Sequence, residues 1–409
     1  MIAKFRVINR AFTFLLAARI LFTAGMRMTP VLLGWYLYEL TGSKLSLGIV
    51  GLSEVLPAIF FALPAGVKVD TSDKHKLIRR FQLAYVLLML LFSFTAGRFF
   101  GLLEVSDKGI EYLIYGIVGF TGFLRAYISP AYTAFLAQLV TKDQLVRAAS
   151  TNSMSWLLAA IIGPTIAGLM VGFISVSSCF IVVATLILLA NIVFRQIEPK
   201  PIQYNKGSTK TWHSVLEGLT FLRKEKALLG AMSLDMFAVL FGGAIALLPV
   251  FAKDILDAGP QIFGVLMSAT YLGNFLAILY LTKYPLKGGQ GFKLIYSIIG
   301  FGVCIVLFAL SKNWMLSFIA LFIGGLFDGV SVIIRSTIFQ LFVPDQMRGR
   351  VSSVNSIFIS SSNELGQFES GVAASIMGTV PSVIFGGTMT ILIGLYAKIK
   401  IPSLRKLEY

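Results

Sequence analysis

Residues 195–226 read RQIEPKPIQYNKGSTKTWHSVLEGLTFLRKEK and form the longest polar run in this 409-residue chain. The run contains seven Lys or Arg residues, two prolines and an apolar patch at helical spacing that includes Leu219 and Leu222. Mostly apolar sequence precedes it and follows it. The run therefore predicts a polar linker between two hydrophobic halves, residues 1–194 and 227–409.

The composition is that of a membrane protein. Hydrophobic residues make up 56% of the chain and charged residues only 13%, which excludes a water-soluble globule because apolar stretches recur along the whole length. The net charge of +16 does not indicate a nucleic-acid partner, because a DNA-binding surface needs a soluble domain to carry it. Cys179 and Cys304 lie inside apolar runs of opposite halves, so neither a disulfide nor a metal site is expected.

Apolar runs long enough to cross about 30 Å of hydrocarbon recur twelve times, six on each side of the linker. They fall at roughly 11–41, 45–67, 81–103, 110–140, 148–172, 174–194, 227–252, 261–282, 292–310, 313–343, 351–379 and 381–399. The N-terminus is basic but has no small-residue cleavage site, so the first run is interpreted as an uncleaved span. The expected fold is an all-α membrane protein with twelve transmembrane helices in two pseudo-symmetric six-helix bundles.

The distribution of basic residues predicts the orientation in the membrane. Of the 35 Lys and Arg residues, 26 lie in segments that face one side, five lie in segments that face the other side, and four lie inside spans. The cytoplasmic loops of membrane proteins carry the excess of Lys and Arg. Both termini and the linker are therefore expected on the cytoplasmic face of a bacterial cytoplasmic (inner) membrane, where basic residues also attract anionic lipid headgroups.

An internal repeat supports two related halves. The chain reads QLVTKDQLVRAASTNSM from Gln138 and QLFVPDQMRGRVSSVNSI from Gln340, an offset of about 202 residues. Chance similarity of two short loops is one explanation. Parallel duplication is the better one, because six spans lie in each half, and it is the architecture of one large transporter class.

The loop after the second predicted span contains the sharpest motif. Residues 66–80 read GVKVDTSDKHKLIRR and resemble the glycine–aspartate–basic signature between helices 2 and 3 of the major facilitator superfamily. Glycine permits a tight exit from helix 2, and Asp70 offers an acceptor to a helix N-terminus or an arginine. Thr71 stands where the family usually has arginine, and a basic turn that only fixes topology is the alternative. The resemblance implies a cytoplasmic latch formed by Gly66, Asp70, Asp73, Lys74, Arg79 and Arg80.

Two further patches resemble the same superfamily. IGPTIAG at residues 162–168 is similar to the glycine–proline motif of antiporter members, with a simple packing kink as the alternative. Its defining residues are Gly163, Pro164 and Gly168. Arg125 lies where the family has a membrane-buried arginine, although Ser129 replaces the usual glycine. Stretches of both halves look like the bacterial exporter branch that includes enterobactin exporters and macrolide-efflux proteins, namely residues 37–66, 233–256, 344–356 and 362–371.

Charged residues inside the spans are the candidates for translocation and coupling. Each costs about 2.5–3.5 kcal/mol at mid-membrane, so they are expected to face a wet cavity or to pair with one another. A structural ion pair is the alternative for any single member. The set is Arg19, Arg27, Glu54, Arg125, Asp235, Asp328, Arg335, Glu364 and Glu369.

A carboxylate is the expected proton carrier, because both histidines, His75 and His213, lie in inner loops. Asp235 is the first candidate, since it lies well inside the seventh predicted span, 227–252. In the superfamily the seventh membrane helix borders the central cavity. Glu364, at similar depth in the eleventh predicted span, 351–379, is the second candidate. By halves, helices 1–6 hold three arginines against one carboxylate, whereas helices 7–12 hold one arginine against four carboxylates.

The resemblance implies a secondary transporter that works by alternating access, with proton-coupled export of drugs or siderophore-like molecules as the favoured function. An importer or a lysophospholipid flippase on the same fold is the open alternative. An enzyme is not expected because no HExxH, GxSxG or GxxxxGK motif occurs, and no repeated filter loop indicates a channel. The expected partners are a small-molecule substrate, protons and membrane lipid. No cofactor, metal or nucleic acid is expected, and the expected state is a monomer.

Overall fold

The computed structural model describes residues 9–97, 105–141, 143–201, 211–344 and 347–408, and every regular element in these ranges is helical. The first helices are α1 Arg10–Thr41, α2 Lys44–Thr71, α3 Lys74–Ala96, α4 Asp107–Leu139, α5 Leu145–Val171 and α6 Val176–Arg195. The linker contains α7 Thr211–Lys224. It is followed by α8 Lys226–Gly242, a 3-10 turn Ala244–Leu247, α9 Leu248–Val250 and a π-helical segment Phe251–Ile255. The last helices are α10 Pro260–Lys283, α11 Gln290–Leu310, α12 Trp314–Phe342, α13 Arg348–Met377, α14 Thr379–Lys400 and α15 Pro402–Arg405.

Eleven helical segments among the described residues are long and apolar enough to cross a membrane. They correspond to eleven of the twelve predicted spans. The remaining span, predicted at 351–379, is α13, which has 30 residues but is interrupted by Ser, Asn, Gln and Glu. Polar side chains at membrane depth face protein or a water-filled cavity rather than lipid. The all-α membrane fold is confirmed, and α13 is its most polar long helix.

The third helix begins earlier than the sequence predicts. The predicted span is 81–103, whereas α3 runs Lys74–Ala96. Asp73 is the N-cap: its Oδ1 accepts a hydrogen bond from the Lys76 backbone N–H at 3.1 Å, which satisfies one of the free N–H groups at a helix start. The basic run after Asp73 therefore lies on the helix. Residues 98–104, which include Arg98 and the predicted end of this span, lie outside the described residues.

The chain forms two compact units. Unit 1 comprises Met1–Tyr36 and Leu56–Thr209, and unit 2 comprises Leu37–Val55 and Lys210–Tyr409. The division into residues 1–194 and 227–409 stays a prediction, and the units differ from it at residues 37–55. These residues pack on α13 within unit 2, where a Cβ atom added to Gly371 would lie 2.6 Å from the Cα atom of Gly48. Such small residues allow two helix backbones to touch.

Aromatic side chains fill the centre of unit 1. Phe92 of α3 stacks on Phe180 of α6 with ring centroids 5.2 Å apart, and both side chains are fully buried. Phe194 of α6 packs against Phe135 of α4 at 5.4 Å. Aromatic pairs of this kind add about 0.5–1.5 kcal/mol beyond the area that they bury. Ring packing therefore joins α6 to both α3 and α4.

Close backbone contact joins the helices of unit 2. Gly325 of α12 faces α10, and a Cβ atom there would lie 2.1 Å from the carbonyl oxygen of Thr270, so any side chain would push the helices apart. The linker helix α7 also packs in this unit. Arg350 Nη1 of α13 lies 2.5 Å from Glu217 Oε2 of α7, and Leu222 is fully buried. The helix predicted from the apolar patch of the linker is confirmed.

Candidate translocation site

A buried ion pair joins α8 and α12 in unit 2. Arg335 Nη1 lies 2.6 Å from Asp235 Oδ2, and the two side chains are only 14% and 7% exposed. Asp235 lies roughly 13 Å along α8 from its first residue at the helical rise. A buried charge is tolerated when it is paired and hydrogen-bonded. Two of the residues predicted from the sequence are thus in direct contact.

A second carboxylate completes this cluster. Asp328 lies seven residues before Arg335 on α12, a spacing that puts both on one helix face. Asn274 Nδ2 of α10 donates a hydrogen bond to Asp328 Oδ2 at 2.6 Å, and Arg335 Nε donates to Ser331 Oγ at 3.2 Å. The close α10–α12 packing described above brings Asn274 to Asp328. We call Asp235, Asp328, Arg335, Asn274 and Ser331 the carboxylate cluster. With both carboxylates ionised it carries one excess negative charge.

The remaining predicted carboxylates lie on α2 and α13. Glu364 is 6% exposed, and Glu54 and Glu369 are half-buried. The helices touch at this level, since a Cβ atom on Gly51 would lie 2.7 Å from the carbonyl oxygen of Glu364. Glu54 belongs to unit 2, whereas the sequence assigned it to the first half. Of the nine predicted intraspan charges, unit 1 therefore holds three arginines, and unit 2 holds Arg335 and all five carboxylates.

Arg27 of unit 1 rests on an aromatic ring. Its guanidinium carbon lies 4.3 Å from the centre of the Trp156 ring, a favourable cation–π geometry. Trp156 belongs to α5, and the helix-5 motif explains how α1 approaches so closely. A Cβ atom on Gly163 would lie 2.9 Å from both the Ala24 carbonyl oxygen and Arg27 Cβ. Pro164 and Gly168 of the motif are buried in the same helix.

Arg19 rests on a second ring of unit 1. Its guanidinium carbon lies 5.0 Å from the centre of the Tyr132 ring of α4, and Tyr132 is 2% exposed. Arg19 Nη1 is buried and has no hydrogen-bond partner among the described residues. Arg125, the third arginine of this unit, is half-buried on α4. The structure therefore places two cations of unit 1 on rings, where the sequence suggested only a set of charges.

The predicted latch residues are placed differently from the expectation. Gly66 lies inside α2, where a Cβ atom would meet no atom within 4 Å, so it does not provide a tight exit from the helix. Asp70 is exposed and makes no hydrogen bond or ion pair with the described part of the chain. Asp73 is the acceptor at the helix N-terminus instead. Lys74 is 6% exposed, Arg79 is half-buried and Arg80 is exposed.

His75 was assigned to an inner loop by the sequence, but it lies in the first turn of α3 and is 5% exposed. Its ring stacks on Phe194 with centroids 5.1 Å apart, and Nε2 lies 3.3 Å from the Phe194 carbonyl oxygen. The assignment to a loop was wrong because the Asp73 cap starts the helix before the basic run. No local pattern would have revealed the partner, since it lies 119 residues away in sequence.

A further contact in unit 2 was missed from the sequence. The Tyr38 hydroxyl donates a hydrogen bond to Asp254 Oδ2, and Lys253 Nζ lies 5.9 Å from the centre of the same ring. Lys253 and Asp254 follow directly after the predicted span 227–252. The partners are separated by 216 residues, so only the packing of residues 37–55 within unit 2 brings them together.

The comparisons with known proteins agree with this architecture. Residues 3–408 match the family model described as transmembrane secretion effector. The chain is 25% identical to the staphyloferrin A transporter of Staphylococcus aureus over 367 residues, which cover 88% of this chain and 89% of the relative. It is 25% identical to the enterobactin exporter EntS of Escherichia coli O81 over 287 residues, which cover 70% of this chain and 68% of the relative.

Solved structures share the fold at low sequence identity. The D-xylose–proton symporter superposes with a TM-score of 0.73 at 12% identity, covering 97% of this chain and 99% of its own. The nucleoside transporter NupG gives a TM-score of 0.67 at 15% identity, with coverages of 96% and 100%. The family and these neighbours are transporters and not enzymes.

Proposed function

The chain belongs to the transmembrane secretion effector family of the major facilitator superfamily, and we propose that it is a proton-coupled exporter of siderophore-like small molecules or drugs that works by alternating access. The observation that carries the coupling is the buried Asp235–Arg335 ion pair. The substrate class is supported by two relatives, a staphyloferrin A transporter and an enterobactin exporter, and the export direction is supported by the second.

The carboxylate cluster has the parts that proton coupling requires. Asp235 either pairs with Arg335 as a carboxylate or carries a proton, because protonation removes the negative charge that the guanidinium neutralises. When Asp235 is protonated, Asp328 on the same helix face as Arg335 is the second acceptor for the guanidinium. Asn274 already orients Asp328 by a 2.6 Å hydrogen bond. The arginine thus stays paired in both protonation states, which keeps the cost of each state low.

The excess of basic residues on one side supports an orientation with both termini in the cytoplasm of a bacterium. In this orientation Asp235 lies roughly 13 Å from the cytoplasmic start of α8, near the middle of the bilayer. The protein binds its small-molecule substrate and protons at this depth as a monomer. Substrate leaves the cell while protons move inward through the same protein.

The test uses purified protein in liposomes with an imposed pH gradient. Enterobactin and staphyloferrin A serve as probe substrates, and their accumulation and the accompanying proton flux are followed together. We expect Asp235→Asn to abolish gradient-driven accumulation, since the side chain no longer takes up a proton, while downhill exchange persists. Asp107→Asn, which removes an exposed carboxylate at the start of α4, is the matched control and should transport like the parent.

Undiminished gradient-driven transport by both Asp235→Asn and Glu364→Gln would remove these two residues as coupling groups. Reversing the gradient tests direction. Accumulation only under the reversed gradient would make the protein an importer, and movement of labelled lysophospholipid instead of siderophore would make it a flippase.

A further inference from the structure

Arg19 and Tyr132 lie at one depth of unit 1. Asn9 Nδ2, next to the start of α1, donates a hydrogen bond to the Leu139 carbonyl oxygen at the end of α4, so these two helix ends meet. Arg19 lies roughly 13 Å along α1 from that end, and Tyr132 roughly 10 Å along α4. The guanidinium of the half-buried Arg19 and the buried Tyr132 ring therefore meet away from the helix ends, 5.0 Å apart.

Arg19 has no anionic partner in this position. No described carboxylate lies within ion-pair distance of it, and its Nη1 is buried without a hydrogen bond. The Tyr132 ring is the contact that balances the cation. A cation–π contact is worth about 2 kcal/mol or somewhat more when it is desolvated, and it leaves the N–H groups of the guanidinium unused. A buried N–H group without an acceptor costs about 1–3 kcal/mol.

The phenol of Tyr132 also has an unused donor. Asn191 Nδ2 donates to the Arg79 carbonyl oxygen at 2.9 Å and to Gln82 Oε1 at 3.0 Å, which fixes the orientation of the Gln82 amide. Gln82 Nε2 is then the donor in its 2.6 Å contact with the Tyr132 oxygen. Because the phenol oxygen accepts that bond, its own O–H points elsewhere. No described group accepts it.

Two donors without a partner among the described residues, one of them cationic, thus lie on side chains that contact each other. We propose that Arg19 and Tyr132 form an anion subsite that binds a carboxylate of the transported molecule. A carboxylate has two oxygens. One oxygen accepts a hydrogen bond from Arg19 Nη1, and the other accepts a hydrogen bond from the Tyr132 hydroxyl. The subsite rests on the proposed function for the identity of its occupant, since the substrate is then an oxygen-rich organic anion. It also gives a role to an arginine that has no acidic neighbour among the described residues.

The subsite is tested by ligand-dependent thermal unfolding of the full chain in a neutral detergent. Salicylate and salicylamide are the probes, because they differ only in the charge of one carboxyl-derived group. We expect salicylate to raise the unfolding midpoint in a concentration-dependent way and salicylamide not to. Arg19→Gln should weaken the salicylate effect roughly tenfold or more, and Tyr132→Phe should weaken it about threefold to tenfold. Arg19→Lys should retain part of it, and Lys108→Gln, an exposed charge on α4, should retain all of it.

Equal stabilisation of the parent and Arg19→Gln by salicylate would overturn the subsite, as would the absence of any effect on the parent. Stabilisation by chloride but not by salicylate would mean a site for an inorganic ion and would also overturn it. A purely structural role of Arg19 would change the midpoint of the free protein without changing the preference for acid over amide. Salicylate binding together with a failure of pH-gradient-driven transport would refute the exporter while leaving the subsite in place.

Discussion

The two units satisfy their buried charges in different ways. Unit 2 gathers two carboxylates around one arginine, with Asn274 and Ser331 completing the hydrogen bonds. Unit 1 places Arg27 and Arg19 on aromatic rings, at 4.3 Å and 5.0 Å from the ring centres. An ion pair between side chains is complete without a ligand, whereas Arg19 Nη1 on its ring has no hydrogen-bond partner among the described residues.

The difference separates two tasks within one transporter. A group that exchanges a proton needs a partner that stays in the protein, and Arg335 is such a partner for Asp235. A group that binds and releases an anion must not have a permanent acidic neighbour, because the neighbour would compete with the ligand. Under the proposed function, the contrast therefore favours coupling by the carboxylates of unit 2 and anion binding by Arg19 of unit 1.

The largest effect is expected when the arginine of the carboxylate cluster is replaced. Arg335→Met leaves the buried Asp235 and the half-buried Asp328 without their cation, and we expect roughly 3–5 kcal/mol of destabilisation. Arg19→Met removes a cation that has no acidic partner in the described part of the chain, so its effect should lie within about 1 kcal/mol of zero or be stabilising. The measurement is the thermal unfolding midpoint of the detergent-purified proteins.

The charge, and not the size of the side chain, should cause the loss in unit 2. Adding Asp235→Asn to Arg335→Met should therefore restore part of the midpoint. If Arg335→Met and Arg19→Met lower the midpoint equally, the two units do not differ in the way their charges are satisfied.

A smaller effect is expected from the helix contact that positions Arg27. Gly163→Ala adds a Cβ atom 2.9 Å from the backbone of α1, and we expect roughly 1–3 kcal/mol of destabilisation with a weaker Arg27–Trp156 contact. Gly66→Ala is the matched control, because its Cβ atom meets no atom within 4 Å. It should stabilise α2 by up to about 1 kcal/mol through helix propensity. The change in Trp fluorescence on unfolding reports both variants, and opposite signs of the two shifts are the expected outcome.

The smallest effect is expected from the carboxylate that caps α3, which belongs neither to the carboxylate cluster nor to the arginine–ring contacts of unit 1. Asp73→Ala removes the cap of α3 and should cost about 1 kcal/mol. Asp70→Ala removes an exposed carboxylate in the last turn of α2 and should change stability by less than about 0.5 kcal/mol. The thermal midpoints of these variants test whether Asp73 or Asp70 is the structural acceptor. A larger loss for Asp70→Ala would support the latch arrangement implied by the sequence resemblance.

The helices could be predicted because each span is long and apolar, and most predicted bounds differ from the observed ones by a few residues. The third span was predicted to begin at residue 81 and not at Lys74, because the first turn of α3 is basic. Lys74, His75 and Arg79 look like a cytoplasmic loop to a hydropathy argument, but the Asp73 cap and the Phe194 ring support a helix there. Likewise, α13 was predicted as a span from its length and position, although its polar composition weakens the hydropathy signal.

The candidate site could be predicted as a set of residues and not as an arrangement. Asp235, Arg335 and Arg19 each lie within an apolar run, and placing a charged side chain at that membrane depth costs free energy. This cost can be recognised from the sequence of each helix by itself. The partner of a buried charge is a property of the packing. The sequence contains no periodicity that links α8 to α12 or α1 to α4, and polar residues such as Asn274 and Tyr132 carry no charge that would single them out.

The amino-acid sequence therefore determined the membrane class, the helix count and the candidates for buried charge, because these follow from local hydrophobicity summed over each span. The packing of helices decided which charges meet. It assigned residues 37–55 to unit 2 and gave Asp235 an arginine and Arg19 an aromatic ring. These contacts join residues more than 90 positions apart, and their short distances depend on close helix approach that no local pattern specifies.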